Sequence, residues 1–402
     1  MGADTTTIGG NLKKYYLPGL RTQINDEVLL CNGDVGIPRG SEHVEGEEWV
    51  LGLHVGRSPA VGFRGEGDNS PTPGYQKFVK ATGSVKEIRG HIGMTERAIL
   101  AAATSKGSFT RTVSSETEGI QADAVRQLNR SFAGTSNGVI ATCGTTTAST
   151  TVVLAATTPL SALLQLQEDM YIDIGTVANP VLRAEGRTIT SVDESAKTFV
   201  ISGAAITTAA TDFVFLGGSG GTSPQLETYG LQTLVGTASL FGVDPATYGR
   251  WKSTVKDAAS GAANDSLFNE VIDNVRRRSG MDPDVWLTSI GVYRKYGAFL
   301  ASMKRSVDTL NLKGGHEALS VSSGAKSAKL YRERDIPDGM AFLLNKKHLF
   351  IPEMADWNFL DRDGSQLHFV DSTSKWRATL AKFCDLAVDR RDCHGRIHSI
   401  AE

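Results

Sequence analysis

From Glu48 the chain reads EWVLGLHVG, and Trp49, Leu51, Leu53 and Val55 alternate with Val50, Gly52, His54 and Gly56. Period-two alternation of this kind predicts a strand with one apolar face. SPAVGFRGEGDNSPTPG (58–74) follows and is turn chemistry from end to end. YQKFVKAT then supplies a returning strand, and VKEIRGHIGM a further extended segment. The pattern predicts a long two-stranded ribbon standing away from a body. Isolated ribbons are marginally stable in water, so the expectation is that it rests on another subunit.

The period changes after Met94. Thr95 is placed to cap a short helix over ERAILAAAT (96–104). In SETEGIQADAVRQLNRSFAG (115–134), Ile120, Ala124, Leu128 and Phe132 recur every four residues, with Asp123, Arg126, Gln127 and Arg130 on the wet side. Ser115 and Glu118 have capping-box spacing, and Gly134 stands where such a helix stops. Between 136 and 222 only ten of 87 residues are charged and sixteen are threonine, which marks a different unit. TTVVL, MYIDI, RTITSV, KTFVISG and DFVFL read there as short strands of a small antiparallel barrel or sandwich, ending at the flexible GGSGG of 217–221. The remainder mixes both periods. Asn264 or Asp265 can cap a helix closed by Gly280; DVWLTSI is a buried strand, GVYRKYGAFLASM a helix, and MAFLLNKKHLF and WRATLAKFCDLAVDRR later strands. Fixed-period repeats and coiled-coil heptads are absent from the sequence.

Composition adjusts this picture in three places. Ten of the 43 glycines and four of the 12 prolines fall between Gly33 and Tyr75, so that stretch cannot hold a helix. Forty-two basic against 44 acidic residues remove most support for strong sequence-independent DNA binding. Four cysteines in 402 residues are not a disulfide framework and fit a reducing cytoplasm. No run approaches the roughly 18 apolar residues of a membrane helix. The opening MGADTTTIGGNLKKYY has no apolar signal core, so secretion is not expected.

Catalytic patterns were weighed against plainer readings. GGSGG matches a nucleophile elbow at Ser219, yet the threonine-rich strands before it and Pro224 after it make a joint the better reading. GFRGEG (62–67) lies between strands rather than at a helix start, which a phosphate loop requires. Cys384, Cys393, His394 and His398 are zinc-ligand types without zinc spacing, and alternation aims Cys384 into a core. Asp361 and Asp363 read as a turn. The basic runs Arg276–Arg278, Lys346–Lys347 and Arg390–Arg391 read as solvated faces. The expectation is a protein with no catalytic constellation, no cofactor and no metal.

The order of these parts, rather than any one motif, resembles the major capsid proteins of tailed bacteriophages, the Hong Kong 97 type. GHIGMTERAIL (90–100) resembles the strand and helix after that family's extended loop. LNRSFAGTSNGVI (128–140) resembles the end of its spine helix, with Gly134, Gly138 and Val139 in the turn. PDVWLTSIGVYRKY (283–296), RDIPDGMAFLL (334–344) and AVDRRDCHGRI (387–397) resemble axial-domain and C-terminal strands. The resemblance implies an α+β fold: an N-terminal arm (1–43), an extended β-hairpin loop (44–82), a peripheral domain with the spine helix (83–135), an inserted β-rich domain (136–222), and an axial domain with the remaining peripheral strands (223–402).

It also implies a function. The chain would form pentamers and hexamers of an icosahedral head shell around double-stranded DNA, which it would enclose without reading its sequence. A separate scaffolding protein and a portal protein would be partners, with no membrane involved; assembly would occur in the host bacterial cytoplasm and the product would be the virion. Tyr15, Tyr16 and Leu17 of the arm and Trp49, Leu51, Leu53, Phe63 and Arg64 of the loop are the expected inter-subunit contacts. The loop tip from Val61 to Ser70 has no lysine, so covalent cross-linking there is not expected. An encapsulin-like compartment, a tail or decoration protein and an enzyme are the alternatives.

Overall fold

The computed structural model describes residues 30, 37–40, 44–46, 48–69, 71–95, 106–177, 182–217, 226–304, 320–323, 326–360, 368–370 and 375–402. Tyr15, Tyr16, Leu17, the expected helix at 96–104, Ser219, Asp361 and Asp363 lie outside them.

The alternating stretch forms the strand Glu48–Gly56, which pairs antiparallel with Lys77–Ser84 from Glu48↔Ser84 to Gly56↔Lys77. Val44–Glu45 adds a short third strand at the base. The next extended segment, Lys86–Thr95, leaves the ribbon and pairs with Lys375–Cys384 along its whole length, from Lys86↔Cys384 to Thr95↔Lys375. Leu349–Phe359 flanks Lys375–Cys384 in turn. This sheet therefore joins residues from both ends of the sequence.

A helix of 28 residues, Lys106–Ala133, packs on that sheet, with Ala124, Leu128 and Phe132 buried as the four-residue stripe requires. At Gly90 of the sheet the approach leaves no room for a side chain: a Cβ there would sit 2.9 Å from Ile120. The helix ends at Ala133, next to the expected stop, but begins nine residues before Ser115. The capping-box spacing of Ser115 and Glu118 is thus a false start inside a continuous helix, because a polar first turn and a polar helix surface look alike in sequence.

Residues 139–216 build an antiparallel sheet of their own. Its order runs Val139–Thr142, Phe213–Leu216, Tyr171–Gly175, Leu182–Asp193, Thr198–Ile201 and Thr151–Val153, beside a two-stranded ladder of Thr146–Ser149 and Ile206–Thr208. Ile172, Ile174, Ile189, Phe199 and Val214 form a core separate from the rest of the chain. The block is fastened at the one-turn helix Leu160–Leu163: Leu160 N–H donates to Asp338 (2.8 Å), and Arg334 donates to the Leu164 carbonyl (2.8 Å).

The last part is a six-stranded mixed sheet in the order Thr254–Asp257, Gly395–His398, Ala341–Leu344, Val285–Thr288, Lys326–Arg332 and Ser320–Ser323. The helix Asp265–Ser279 covers it with Phe268, Val271, Ile272 and Val275. Asn264 caps this helix by accepting from Leu267 N–H (2.9 Å), and Gly280 closes it at φ 71°. The helix Ile290–Lys304 adds Val292 and Tyr296 to the same core, where Phe268 stands edge-on to Trp286.

One expectation fails here. Trp49, Leu51 and Leu53 are buried within the chain's own largest core, with Leu128, Phe132, Leu234 and Phe241, and Trp49 is 0% exposed. Their apolar area is consumed inside the chain and none is left to cover a neighbour. The sequence showed that this face needed a partner, but not that residues 230–251 and 384–388 supply one. Trp49 stands edge-on to Phe241 (4.4 Å between centroids) and lies over Gly83 across the ribbon, where a Cβ would come within 2.2 Å of its ring.

Trp49→Ala is expected to lower unfolding free energy by about 3–5 kcal/mol, while Phe63→Ala at the exposed tip stays within about 0.5 kcal/mol of wild type. Urea denaturation of the two variants checks this, and an unchanged midpoint for Trp49→Ala would contradict the burial.

Candidate assembly surfaces

The ribbon changes character along its length. Its base is core, whereas residues 57–69 and 71–76 carry no strand, and 61–69 present their side chains to solvent. Phe63 is fully exposed at 105%, Arg64 is exposed beside it, and Val61, Tyr75 and Phe78 are also exposed large hydrophobics. A tight turn shapes the tip. Asp68 N–H donates to the Gly65 carbonyl (3.2 Å), Gly65 N–H donates to the Asp68 carboxylate (2.8 Å), and Gly67 takes φ 88°. Monomeric proteins rarely expose apolar side chains so close together without a use for them. The structure thus leaves Phe63 and Arg64 on a free surface, moves Trp49, Leu51 and Leu53 inside, and does not describe the three arm residues.

Beneath the ribbon lies a buried carboxylate that sequence reading missed. Asp385 accepts from Tyr229 N–H and Leu386 N–H (both 2.8 Å) and from the Trp49 indole at 3.4 Å. Burial pushes its pKa up to about 7, opposed by those N–H donors and the nearby Lys86 cation. In KFCDLAV it reads as the polar end of a strand, and its partner Trp49 lies 336 residues away. Arg391 corrects a second expectation. Instead of a solvated face, its guanidinium is buried against the carbonyls of Leu234 (3.0 Å), Ala238 (2.7 Å), Trp251 (3.2 Å) and Thr233 (3.3 Å). Its neighbour Arg390 is half-buried on Asp392 and the Ser279 carbonyl. Dehydration draws the Arg391 pKa down to about 10, and carbonyl dipoles replace the water it has lost.

A cavity of about 210 Å³ opens where the long helix, the strand Lys86–Thr95 and the threonine-rich block meet. Leu128, Phe215, Leu216 and Leu226 line its apolar part. Around it Arg89 pairs with Glu87, and Arg130 with Glu227.

The cysteines offer little chemistry. Cys143, Cys384 and Cys393 are free and buried, and burial drives the Cys384 thiol up to about 12. His394 is fully enclosed, and burial draws it down to about 4. Among the described residues no three His, Cys, Asp or Glu side chains are placed to hold a metal ion, and no helix is long and apolar enough to cross a membrane.

Against solved structures, the chain is similar to the capsid asymmetric unit of cyanophage A-1(L), with 12% identity and a TM-score of 0.56 over 98% of this chain and 99% of that one. The fold is that of a phage capsid protein. The capsid of the native GTA particle (10% identity, TM-score 0.47, 99% of both chains) and the holo-SrpI encapsulin of Synechococcus elongatus PCC 7942 (9%, 0.43, 100% of this chain and 96% of that one) are more distant, and the assignment does not rest on them. No protein-family model and no curated protein matches the sequence. In this capsid fold Asp385 ties together the ribbon base, the chain leaving the threonine-rich block and the sheet strand Lys375–Cys384.

Asp385 gives that tie a pH dependence. Its folded pKa lies above the unfolded carboxylate value, so the folded state holds the extra proton. Its contribution is therefore fully present below about pH 4 and is lost as pH rises toward 7, at about 1.4 kcal/mol per unit. Asp385→Asn removes that titration. Its stability relative to wild type is expected to increase by that slope between pH 4 and 7, and a pH-independent difference in denaturation midpoints would contradict it.

Proposed function

We propose that this chain is a major capsid protein that assembles through pentamers and hexamers into the icosahedral head shell of a bacteriophage, enclosing double-stranded DNA. The observation that carries the reading is the capsid fold along 98% of the chain. A tip bearing exposed Val61, Phe63 and Tyr75 supports it, because such a surface is satisfied by association. So does the net charge of −2, since strongly charged copies would repel one another in a dense shell. Heterologous contacts that close on themselves suit rings of five and six. In this reading Phe63 and Arg64 touch a neighbouring subunit, and Tyr15, Tyr16 and Leu17 clamp along an adjacent long helix. A separate scaffolding protein and a portal protein take part, assembly occurs in the host bacterial cytoplasm, and the mature location is the virion.

The domain division belongs to the same proposal: arm 1–43, extended loop 44–82, peripheral domain 83–135, inserted domain 136–222, and axial domain with remaining strands 223–402. The separate core of residues 139–216 supports the insertion. So does the closeness of its ends, where Gly230 N–H donates to the Ser136 hydroxyl (2.8 Å) and Thr233 to the Thr135 carbonyl (2.6 Å).

Negative-stain microscopy of the expressed protein, alone and with candidate scaffolding partners, tests the assembly. Closed shells are expected. Shells filled with protein cargo would indicate a compartment instead, tubes a tail protein, and dispersed monomers under all conditions would overturn the reading. Replacing 139–216 with a short Gly–Ser bridge is expected to leave a soluble chain that keeps its helical circular dichroism; loss of all soluble protein would contradict a removable domain.

A further inference from the structure

The cavity between the long helix and the threonine-rich block has a size and lining that match one feature of the chain itself. Its wall is apolar at Leu128, Phe215, Leu216 and Leu226, and Leu226 is 60% exposed at its edge. A wholly apolar cavity of about 150 Å³ accepts a benzene ring; here about 210 Å³ gives a phenyl group room against the apolar wall, with polar residues on the remaining sides. Phe63 is a phenyl group held in open solvent at the end of a ribbon, with Gly62 and Gly65 beside it to allow close approach. The charges agree as well. Arg89 and Arg130 at the rim are already paired, whereas Lys86 has no ion pair among the described residues, and the tip brings Glu66 and Asp68 within five positions of Phe63.

Phe63 does not fill the cavity of its own chain. Lys86, on the cavity wall, lies just beyond Ser84, at the base of the ladder. Eight paired residues at about 3.3 Å each put the end of the ladder roughly 25 Å from that base, and Phe63 lies beyond it in solvent. We infer that the Phe63 tip of one subunit docks into this cavity on a second copy of the chain, with the ring against Phe215, Leu216 and Leu226 and the tip acids facing Lys86. The contact is head-to-tail, so every copy offers both a tip and a socket. It rests on the shell reading and specifies which surface of the neighbour receives the loop.

Cysteine trapping tests it. Arg64, next to Phe63, and Leu226 are both exposed, so Arg64→Cys and Leu226→Cys, with the Phe63 ring kept, are expected to fold with wild-type circular dichroism. The double variant, mildly oxidised, should give a non-reducing gel ladder extending past the dimer, because each chain carries both halves of the link. Either single variant should give dimers at most. Phe63→Asp in the otherwise native chain should shift the protein to monomers in light scattering. Shells that form without a ladder, or Phe63→Asp chains that assemble normally, overturn the docking and leave the shell reading in place. A ladder without shells supports the docking and removes the shell reading. Neither shells nor ladder removes both.

Discussion

The structure depends on a single dehydrated carboxylate. Asp385 has given up water for three N–H donors, two from remote parts of the chain, the Trp49 indole and the Tyr229 amide, and one from its neighbour Leu386. Removing one partner of a buried polar group leaves the others with an unmet desolvation cost, so these segments stand or fall together. Phe241 and Gly83 then fix the Trp49 ring from two further sides. The base of the ribbon is consequently held by burial and hydrogen bonds, while its tip meets only solvent.

Arg391 does for the C-terminal region what Asp385 does for the ribbon. It spreads a buried positive charge over four carbonyl oxygens from residues 233–251 rather than over an acid. Such a cage holds a loop in place without demanding a second buried charge. The loop is the one that carries Phe241, the ring on which Trp49 rests, so the two buried groups act on neighbouring halves of one core.

Local features of the chain were legible from residue order. The stripe Ile120–Ala124–Leu128–Phe132, the cap Asn264 with its stop Gly280, and the strands TTVVL, MYIDI and DFVFL all declare themselves through spacing and composition. The start of the long helix did not, because between Lys106 and Ser115 only Phe109 and Val113 are large and apolar, too few to mark a stripe. The destination of Trp49, Leu51 and Leu53 did not either: alternation says that a face is apolar, never what will cover it. Asp385 and Arg391 were invisible for the same reason, since their partners lie more than a hundred residues away. The candidate surface was half legible, with Phe63 and Arg64 marked by turn chemistry and the cavity arising only when three separate segments meet.

The ladder between Lys86–Thr95 and Lys375–Cys384 joins positions about 300 residues apart. Closing so long a loop is entropically slow, and the strand that closes it is made long after its partner. A nascent chain therefore lacks the sheet on which the long helix and the ribbon base rest until Lys375–Cys384 has been made. Truncated products have no frame from which to present a tip, which keeps incomplete copies out of any assembly the finished chain can enter.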